Sequence, residues 1–417
     1  MTSDAPTEAY VWIWLPNATE PVVAGKLEQD GADLVFAYGK SYLARNDAIP
    51  IYEPELPLKA GTLPLPNGLN APNCIRDGAP DAWGQRVIIN RVMGLKGQAA
   101  NEVELSLLTY LMESGSDRIG ALDFQASPID YVPRQSQAAS LEELMSSAER
   151  VEKGVPLSKE LGLALLHGSA IGGARPKALI DDIEVKYIAK FSASNDTYSV
   201  VKGEYIAMRL AAIAGLNVAP VKLTQAAGKD VLLIKRFDRV DTMEGWKRRA
   251  MVSALTLFEL DEMMARYASY EKLAEIIRLR FTDPKQTLRE MFGRLVFNIL
   301  CGNTDDHARN HAAFWDGKSL SLTPAYDICP QGRAGGEASQ AMSIIEGQNL
   351  SKLMTCIDVA HHFQLDEQDA HEVIMHQRQI IQENWDEICG EAKLSPVDRD
   401  YFWKRQFLNP FAFEGLN

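Results

Sequence analysis

The sequence lacks the features that mark disulfide-rich, zinc-binding and membrane-spanning proteins. Its five cysteines are scattered and form no C-x-x-C pair, which excludes a zinc ribbon and favours reduced thiols. No window approaches eighteen uninterrupted apolar residues, and the first ten residues contain neither a charged segment nor an apolar core. We therefore expect a cytoplasmic protein that does not associate with membranes.

Positive charge is also scarce. The 417 residues include 43 Lys and Arg but 56 Asp and Glu, which gives a formal net charge of −13. Binding to duplex DNA depends on basic side chains that release counterions, so the chain alone is expected to bind DNA poorly. No basic helix-turn-helix can be placed in it. One short basic cluster, WKRR at residues 246–249, is either a solvated turn or a contact for a phosphate or a partner.

The patterning changes along the chain. The 46% hydrophobic content allows two or three globular domains. Short strand and helix patterns alternate up to residue 238, and helical periodicity dominates afterwards. We predict an α+β protein with a β-rich N-terminal subdomain (1–125), a nucleotide-binding part (126–238) and a mostly helical catalytic part (239–417).

One early helix is predicted within the N-terminal subdomain. Asp81 precedes a periodic apolar pattern and can cap a helix there. The apolar face of this helix is expected to carry Val87, Ile88 and Val92.

The most informative stretch is 299–330, ILCGNTDDHARNHAAFWDGKSLSLTPAYDICP. Asp305 is followed five positions later by Asn310, and Asp327 comes after a short hairpin-like segment. The first spacing equals that of the kinase catalytic loop, H-R-D-x-x-x-x-N, and Asp305 rather than Asp306 satisfies it. One carboxylate can take a proton from a substrate hydroxyl, while an amide and a second carboxylate supply hard oxygen ligands for Mg²⁺.

Two other interpretations of this stretch remain open. Thr304 and the two aspartates could simply cap a helix. Alternatively, His307 and His311, four residues apart, could bind zinc together with Asp305, although no Glu follows the first His as in H-E-x-x-H.

A glycine-rich segment, HGSAIGGARPK at 167–177, precedes a strand pair. Gly172 and Gly173 allow backbone amides to approach an anion, and Arg175 and Lys177 add positive charge. This pattern predicts a phosphate-binding loop, although the sequence is not a Walker A motif and an ordinary hairpin is the alternative.

The segments that follow match the order of parts in a kinase. YIAKF at 187–191 resembles the V-A-I-K strand, so Lys190 would pair with phosphates and Glu204 on the next helix would be its ion partner. The alternatives are an edge-strand Lys in solvent and a first-turn Glu favoured by the helix dipole. The sequence KRFDR at 235–239 follows a strand at the point where a kinase chain becomes the hinge that binds adenine.

Together these motifs make the chain similar to the HipA family. The resemblance rests on PDAWGQRVI, SDRIGALDF, GGARPK, YIAKF, KRFDR, GNTDDHARN and LTPAYDI, in that order and over most of the chain. Members are serine/threonine kinases that act as toxins of type II toxin–antitoxin modules. The resemblance implies a two-lobed protein-kinase-like fold with a mixed α/β N-terminal lobe and an all-α C-terminal lobe.

The resemblance also implies roles for individual residues. Asp305 would be the catalytic base, Lys190 would be a second catalytic residue, and Asn310 and Asp327 would be Mg²⁺ ligands. The nucleotide would contact residues of both lobes: Gly172, Gly173, Lys177, Lys190, Glu204, the backbone of Lys235 and Phe237, His307 and Asn310.

One position departs from the family pattern. The family has a self-phosphorylated Ser near the start of the glycine-rich loop, but alignment on 173–177 places Ala170 there and Ser169 one residue earlier. Ser169 is therefore a candidate for autophosphorylation, and a hydrogen bond from Ser169 to a turn amide is the equal alternative.

Two functions are consistent with these observations. The first is an ATP- and Mg²⁺-dependent kinase that phosphorylates a protein Ser or Thr, such as one on an aminoacyl-tRNA synthetase, and arrests growth. The second is a weakly active or inactive nucleotide-binding co-repressor. Either one implies a small helix-turn-helix antitoxin similar to HipB, through which the chain would reach DNA. The kinase is favoured because Lys190, Asp305, Asn310 and Asp327 are all present.

Overall fold

The computed structural model describes residues 5–66, 68–93, 104–134, 139–153, 155, 165, 169, 171, 173, 175–182, 184–193, 196–333 and 335–416. Two compact units are formed from interleaved stretches of chain. The N-terminal unit consists of Met1–Asn195, Thr224–Val252 and Trp315–Lys318, and the C-terminal unit of Asp196–Leu223, Ser253–Phe314 and Ser319–Asn417.

The strands of the described residues are numbered here in chain order. They are β1 Glu8–Ile13, β2 Val22–Asp30, β3 Asp33–Tyr38, β4 Thr62–Leu63, β5 Leu122–Gln125, β6 Lys177–Asp181, β7 Lys186–Phe191, β8 Val221–Ala226, β9 Lys229–Lys235, β10 Arg239–Thr242, β11 Gly245–Arg248, β12 Ala250–Ser253, β13 Ala312–Trp315 and β14 Leu320–Leu322.

The α-helices of the described residues are numbered in the same way. They are α1 Lys40–Leu43, α2 Asn73–Arg76, α3 Ala82–Met93, α4 Leu107–Glu113, α5 Leu141–Glu152, α6 Val200–Ile213, α7 Ala254–Leu257, α8 Tyr270–Arg280, α9 Pro284–Cys301, α10 Leu353–Val359, α11 Glu367–Glu391 and α12 Pro396–Phe402. Short 3₁₀ turns occur at Glu262–Tyr267, Ala308–Asn310, Ala360–Phe363 and Pro410–Phe413.

Two sheets dominate the N-terminal unit. The first has the strand order β4-β3-β2-β1-β5, and the second has the order β6-β7-β9-β8. In β1 the alternate residues Ala9, Val11 and Ile13 are fully buried, because successive side chains of a strand point to opposite faces. The second sheet shares a core with α3 and α5, in which Trp83 packs with Val87 and Phe191.

Helix α3 only partly follows its predicted pattern. Val87 and Ile88 are fully buried as expected, but Val92 is 47% exposed near the end of the helix. The Val92 prediction is therefore wrong, because the sheet core is reached by the first turns of the helix and not by the last.

Helices form most of the C-terminal unit, and α9 is its centre. Asp283 caps the helix through the Gln286 N–H, Pro284 follows at the first helical position, and Gly302 ends the helix in the left-handed conformation. Its residues from Met291 to Cys301 are buried without exception. A helix buried all round in this way holds the segment that follows it in a fixed position.

Residues 239–417 differ from the predicted composition of an all-α lobe. They include β10 to β14, and β14 lies within the C-terminal unit. The compact units also differ from the predicted division at residue 238, because α6 belongs with the C-terminal helices while 224–252 belongs with the N-terminal sheets. The apolar face of α6, which includes Ile206 and Leu210, is fully buried and explains its grouping with helices. No helix within the described ranges combines the length and apolarity needed to cross a bilayer.

Candidate functional site

The loop after α9 begins at a glycine that no other residue can replace without strain. Gly302 has φ +75°, and a Cβ there would lie 2.7 Å from the Gln406 carbonyl oxygen. The Asn303 N–H donates to the Asn298 carbonyl at 2.8 Å, which fixes the turn out of the helix. The catalytic-loop candidate residues therefore start from a rigid position.

The two neighbouring aspartates of this loop have opposite environments. Asp305 is exposed, whereas Asp306 retains 2% of its accessible surface. The Asp306 carboxylate accepts hydrogen bonds from the Tyr270 hydroxyl and, at 3.1 Å, from Nε2 of His311. Asp306 is thus engaged in holding the loop, and Asp305 is the carboxylate that a substrate could reach.

The hydrogen bonds of Asp306 continue into α9. Asn298 donates to the Tyr270 hydroxyl at 3.5 Å, and Asn303 donates to Asn298 at 3.0 Å. Burial and the Asp306 charge raise the pKa of Tyr270 well above its usual value, so its hydroxyl remains a donor. This network is a feature that the sequence interpretation missed.

The zinc alternative is not supported by the geometry. His311 directs Nε2 to Asp306 and is 3% exposed, so it is not available beside Asp305. Across the described ranges, no group of three or more His, Cys, Asp or Glu side chains could hold a metal ion.

Asn310 and Asp327, the predicted Mg²⁺ ligands, both act on Asp305. The Asn310 side-chain N–H donates to the Asp305 backbone carbonyl at 3.3 Å, which leaves the amide oxygen as the other functional atom of this side chain. Asp327 has φ +59°, a left-handed conformation that Asp tolerates better than most residues. Its neighbour Tyr326 donates its hydroxyl to the Arg309 carbonyl at 2.8 Å and so ties the two segments together.

The electrostatics of Asp305 agree with this arrangement. The carboxyl group is partly withdrawn from water although the residue is exposed, and this partial burial, followed by the negative charges of Asp327 and Asp306, raises its pKa, while His307 opposes the shift. Two carboxylates that influence each other in this way are stabilised by a cation between or beside them. The donor set of one amide oxygen and one or two carboxylates fits Mg²⁺, which prefers a few oxygen ligands and retains water.

His307 is half-buried in the same loop. Its Nδ1 is buried and accepts or donates no hydrogen bond within the part of the chain that the structure describes. The ring lies near enough to the Asp305 carboxyl group to lower the pKa of that group. His307 is therefore well placed to contact a ligand of Asp305, and its predicted role in nucleotide binding stays a prediction.

The glycine-rich segment of the N-terminal unit is held by the start of α3. The Gly173 N–H donates to the Asp81 carboxylate at 2.5 Å, and the Trp83 indole donates to the Lys177 carbonyl at 3.0 Å. At Gly173, φ is +103°, and a Cβ would lie 2.1 Å from Nζ of Lys177. The positive φ favours glycine here, and the Lys177 ammonium group occupies the space beside it. Gly172, the other predicted glycine, lies outside the described residues.

Two lysines of this unit face each other across the sheet. Lys177 on β6 is the register partner of Lys190 on β7, and the two are 4% and 8% exposed. Like charges opposite each other on a sheet, and largely withdrawn from water, favour a nearby anion. This pairing places both predicted phosphate-binding lysines together, and it corrects the edge-strand alternative for Lys190, because β7 lies between β6 and β9.

Ser169 is completely buried. Its hydroxyl oxygen accepts a hydrogen bond from the Gly115 N–H at 3.4 Å, and its carbonyl lies against Gly84, where a Cβ would be only 1.8 Å away. A kinase could phosphorylate this hydroxyl only after Ser169 leaves this environment. Autophosphorylation at Ser169 remains a prediction.

The other predicted nucleotide residues lie on ordered elements. Glu204 is 2% exposed on α6, so it is not a solvated first-turn glutamate. Lys235 ends β9 with an exposed side chain, and Phe237 is half-buried two residues later. The ion pair of Lys190 with Glu204 and the adenine contacts of the hinge stay predictions.

A buried ion network, which the sequence interpretation also missed, joins Arg236, Asp238 and Arg239 to Asp117. Asp117 accepts Arg236 at 3.0 Å and Arg239 at 2.7 Å, and Asp238 accepts both arginines at 2.8 Å. Burial would raise the pKa of Asp238, but the two arginines outweigh burial and hold the pKa at about 2. KRFDR and SDRIGALDF are therefore joined by their charges, and their charged side chains serve the structure of the N-terminal unit.

Comparison with known proteins identifies the family. The HipA-like C-terminal domain matches residues 169–385, and the HipA N-terminal domain matches residues 15–125. Because the first of these covers more than half of the chain, the chain belongs to the HipA family.

Individual relatives agree with this assignment. The chain is 25% identical over 336 residues to "Putative kinase Y4mE" of Sinorhizobium fredii, covering 73% of this chain and 74% of that protein. It is 26% identical over 148 residues to the serine/threonine-protein kinase toxin HipA of Shewanella oneidensis, covering 31% of this chain and 34% of that one.

A solved structure shares the fold. The HipA chain in the complex of Shewanella oneidensis MR-1 HipA, HipB and operator DNA superposes with a TM-score of 0.70 at 18% identity, covering 97% of this chain and 99% of that chain. The mixed α/β fold is thus that of HipA.

Proposed function

We propose that this chain is an ATP-dependent protein serine/threonine kinase of the HipA type. The observation that carries the proposal is the contrast within one loop: Asp306 is buried and fully engaged, while exposed Asp305 lies with Asn310 and is influenced by the charge of Asp327. An accessible carboxylate beside oxygen ligands is what phosphoryl transfer needs. The kinase names of two relatives support the same activity.

The residues would divide the work as follows. Asp305 accepts the proton of a substrate hydroxyl, and its raised pKa improves its strength as a base. Asn310 and Asp327 would hold Mg²⁺, which neutralises the charge of the nucleotide phosphates when bound. Lys177 and Lys190 would contact the phosphates from the adjacent strands β6 and β7.

A protein partner belongs to the proposal. The structural relative was solved with HipB and operator DNA, and we propose that this chain likewise binds a small helix-turn-helix antitoxin. With a net charge of −13, the chain would reach DNA through the basic surface of that partner. Binding of DNA by the isolated chain, measured in a mobility-shift titration, would contradict this part.

Catalysis can be tested without knowing the substrate. The purified chain is incubated with Mg²⁺ and γ-labelled ATP, with casein or myelin basic protein as a general acceptor, and both ADP release and protein labelling are followed. We expect ADP release that depends on Mg²⁺ and that Asp305→Asn abolishes. The matched change Asp316→Asn, at an exposed aspartate in the turn between β13 and β14, should leave ADP release intact. Nucleotide binding without any turnover in the wild type would favour the co-repressor function instead.

A further inference from the structure

A cavity outside the proposed kinase site lies within the N-terminal unit. Its volume is about 620 Å³, within the range of small-molecule sites, and aromatic side chains of Trp14, Tyr131 and Trp246 contribute to its walls. Neither Lys177 nor Lys190 lines it, so it is separate from the candidate phosphate-binding strands. The WKRR cluster therefore does not form a solvated turn: its first residues belong to β11 and face this cavity.

Arg248 lines the cavity, and some of its N–H groups donate no hydrogen bond within the described residues. The Arg248 guanidinium lies over the Trp14 ring, 3.4 Å from its centroid, and Nη1 donates to the Ser116 carbonyl at 3.0 Å. Within the described part of the chain no carboxylate lies within 4 Å of Arg248, so Nε and Nη2 keep their N–H groups for another acceptor. Burial, followed by the charge of Arg239, lowers the pKa of Arg248 to about 10, although Asp117 and Asp123 oppose the shift from beyond 4 Å.

Ion pairs surround Arg248 without including it. Three buried aspartates accept ion pairs from five cations, and Arg248 is a sixth cation beside them. The aspartates are Asp117, Asp123 and Asp238, and the five cations are Arg118, Arg134, Lys186, Arg236 and Arg239. Asp181 also pairs with Lys186, at 3.0 Å, but its side chain is 48% exposed. Because these carboxylates are occupied by other cations, an anion in the cavity would supply the ion partner that Arg248 lacks within 4 Å among the described residues.

The mouth of the cavity restricts which anion fits. Glu20 and Glu244 line it with exposed side chains, and their negative charge repels anions that carry several charges. A single carboxylate matches the planar fork of a guanidinium through two parallel hydrogen bonds. The aromatic walls favour a ligand whose remaining atoms are apolar or aromatic.

We propose that this cavity binds a small organic monocarboxylate with an aromatic body. Arg248 receives the carboxylate through Nε and Nη2, and the body lies among Trp14, Tyr131 and Trp246. Binding at this site requires no kinase activity, so the test of this proposal is independent of the proposed function.

The test compares acids with their neutral amides on the full chain. Benzoate, phenylacetate and indole-3-acetate are titrated against benzamide, phenylacetamide and indole-3-acetamide, and binding is followed by saturation-transfer NMR of the ligand. Because a hydrogen bond to a charged group contributes about 1.5–3 kcal/mol, at least one acid should bind about tenfold or more tightly than its amide. Failure of all three acids to bind at about 10 mM, or equal affinity of acid and amide, would overturn the proposal.

Variants locate the binding. Arg248→Gln should weaken acid binding about tenfold or more, whereas the matched change of its exposed neighbour, Arg249→Gln, should leave it unchanged. Trp246→Leu removes one aromatic wall of the cavity, on the hairpin formed by β10 and β11. This change should weaken binding of the acid, and the amide should bind no more tightly than it does to the wild type. Acid binding that is retained in Arg248→Gln, or that is displaced by Mg-ATP in the wild type but not in Asp327→Ala, would place the ligand elsewhere and reject the assignment.

Discussion

The buried ion network of the N-terminal unit and the loop after α9 use the same kinds of side chain in opposite ways. In the network, Asp238 accepts two arginines and the Gly120 N–H, and none of its oxygens is left for a ligand. In the loop, the Asp305 side chain reaches solvent on one side, and its pKa is raised by the protein atoms packed around the rest of its carboxyl group and by its acidic neighbours. The same residue type is held by cations in the network and, in the loop, keeps the exposure that the proposed catalytic base requires.

The contrast recurs between adjacent residues of the loop. Asp306 resembles the network aspartates, because Tyr270 and His311 occupy its carboxylate. Asp305 differs from Asp306 in exposure and partners but not in chemistry. The comparison teaches that the partners of a carboxylate, and not its presence in a motif, indicate whether it can take part in a reaction.

The largest expected effect is on catalysis. Asp305→Asn should slow phosphoryl transfer about 10²–10⁴-fold, the usual contribution of a positioned base, while nucleotide affinity and the midpoint of thermal unfolding stay near the wild-type values. Single-turnover assays and equilibrium binding of ATP measure the two quantities separately.

Asp306→Asn sharpens this test. Because it breaks the bonds to Tyr270 and His311, it should lower the free energy of unfolding as well as the rate. If Asp305→Asn transferred phosphate at the wild-type rate while Asp306→Asn did not, the choice of base would be wrong.

The next effect concerns the stability of the network. Asp238→Asn leaves Arg236 and Arg239 with less negative charge in a buried site, so the free energy of unfolding should fall by about 3–5 kcal/mol. Urea unfolding measures this change, with Asp241→Asn on the exposed side of β10 as the matched control. A loss below about 1 kcal/mol would mean that the network stabilises the fold no more than a surface ion pair does.

Another buried carboxylate, that of Glu55, should make the free energy of unfolding depend on pH in the direction opposite to Asp238. Glu55 is 3% exposed and accepts the Cys74 N–H at 2.7 Å, and no Lys or Arg of the described residues forms an ion pair with it. Burial raises its pKa to about 7. The folded state therefore retains the proton that the unfolded state loses near pH 4.5. Its contribution to stability is present at low pH and is lost as the pH rises towards about 7, by up to about 3 kcal/mol.

Glu55→Gln should remove this pH dependence. Unfolding midpoints measured between pH 5 and 8 should fall with rising pH in the wild type more steeply than in Glu55→Gln, and the exposed Glu53→Gln should behave like the wild type. Parallel curves for all three proteins would show that Glu55 ionises in the folded state as it does in the unfolded one.

The smallest expected effect is on Ser169. Because its hydroxyl is buried against Gly115, phosphate should appear on Ser169 more slowly than on an exposed acceptor protein during incubation with Mg-ATP. Mass spectrometry of wild type and Ser169→Ala follows the modification. Rapid and complete phosphorylation would show that the segment leaves its buried position readily, and phosphate that persists unchanged in Ser169→Ala would remove Ser169 from consideration.

Much of the candidate site could be predicted from local sequence. The step from Asp305 to Asn310 spans a tight loop fixed at one end by a helix and Gly302, so five residues of spacing already determine that the two groups lie together. The strand that carries Lys190 was also predictable, because YIAKF has β-branched and aromatic residues in a short run. By contrast, the predicted all-α C-terminal lobe left no place for β13 and β14, although the sequence also indicates the hairpin-like segment before Asp327 that these two strands form.

The sequence by itself therefore determined the family, the mixed α/β composition and the residue types that chemistry would require. Only the tertiary structure decided which of those residues are engaged: it joined Asp117 to Arg239 across 122 positions, buried Asp306 against Tyr270, and left Asp305 exposed. The physical reason is that burial and ion pairing depend on contacts between segments far apart in the chain. No pattern within a short window can report them, because the free energy of a charge is set by everything packed around it.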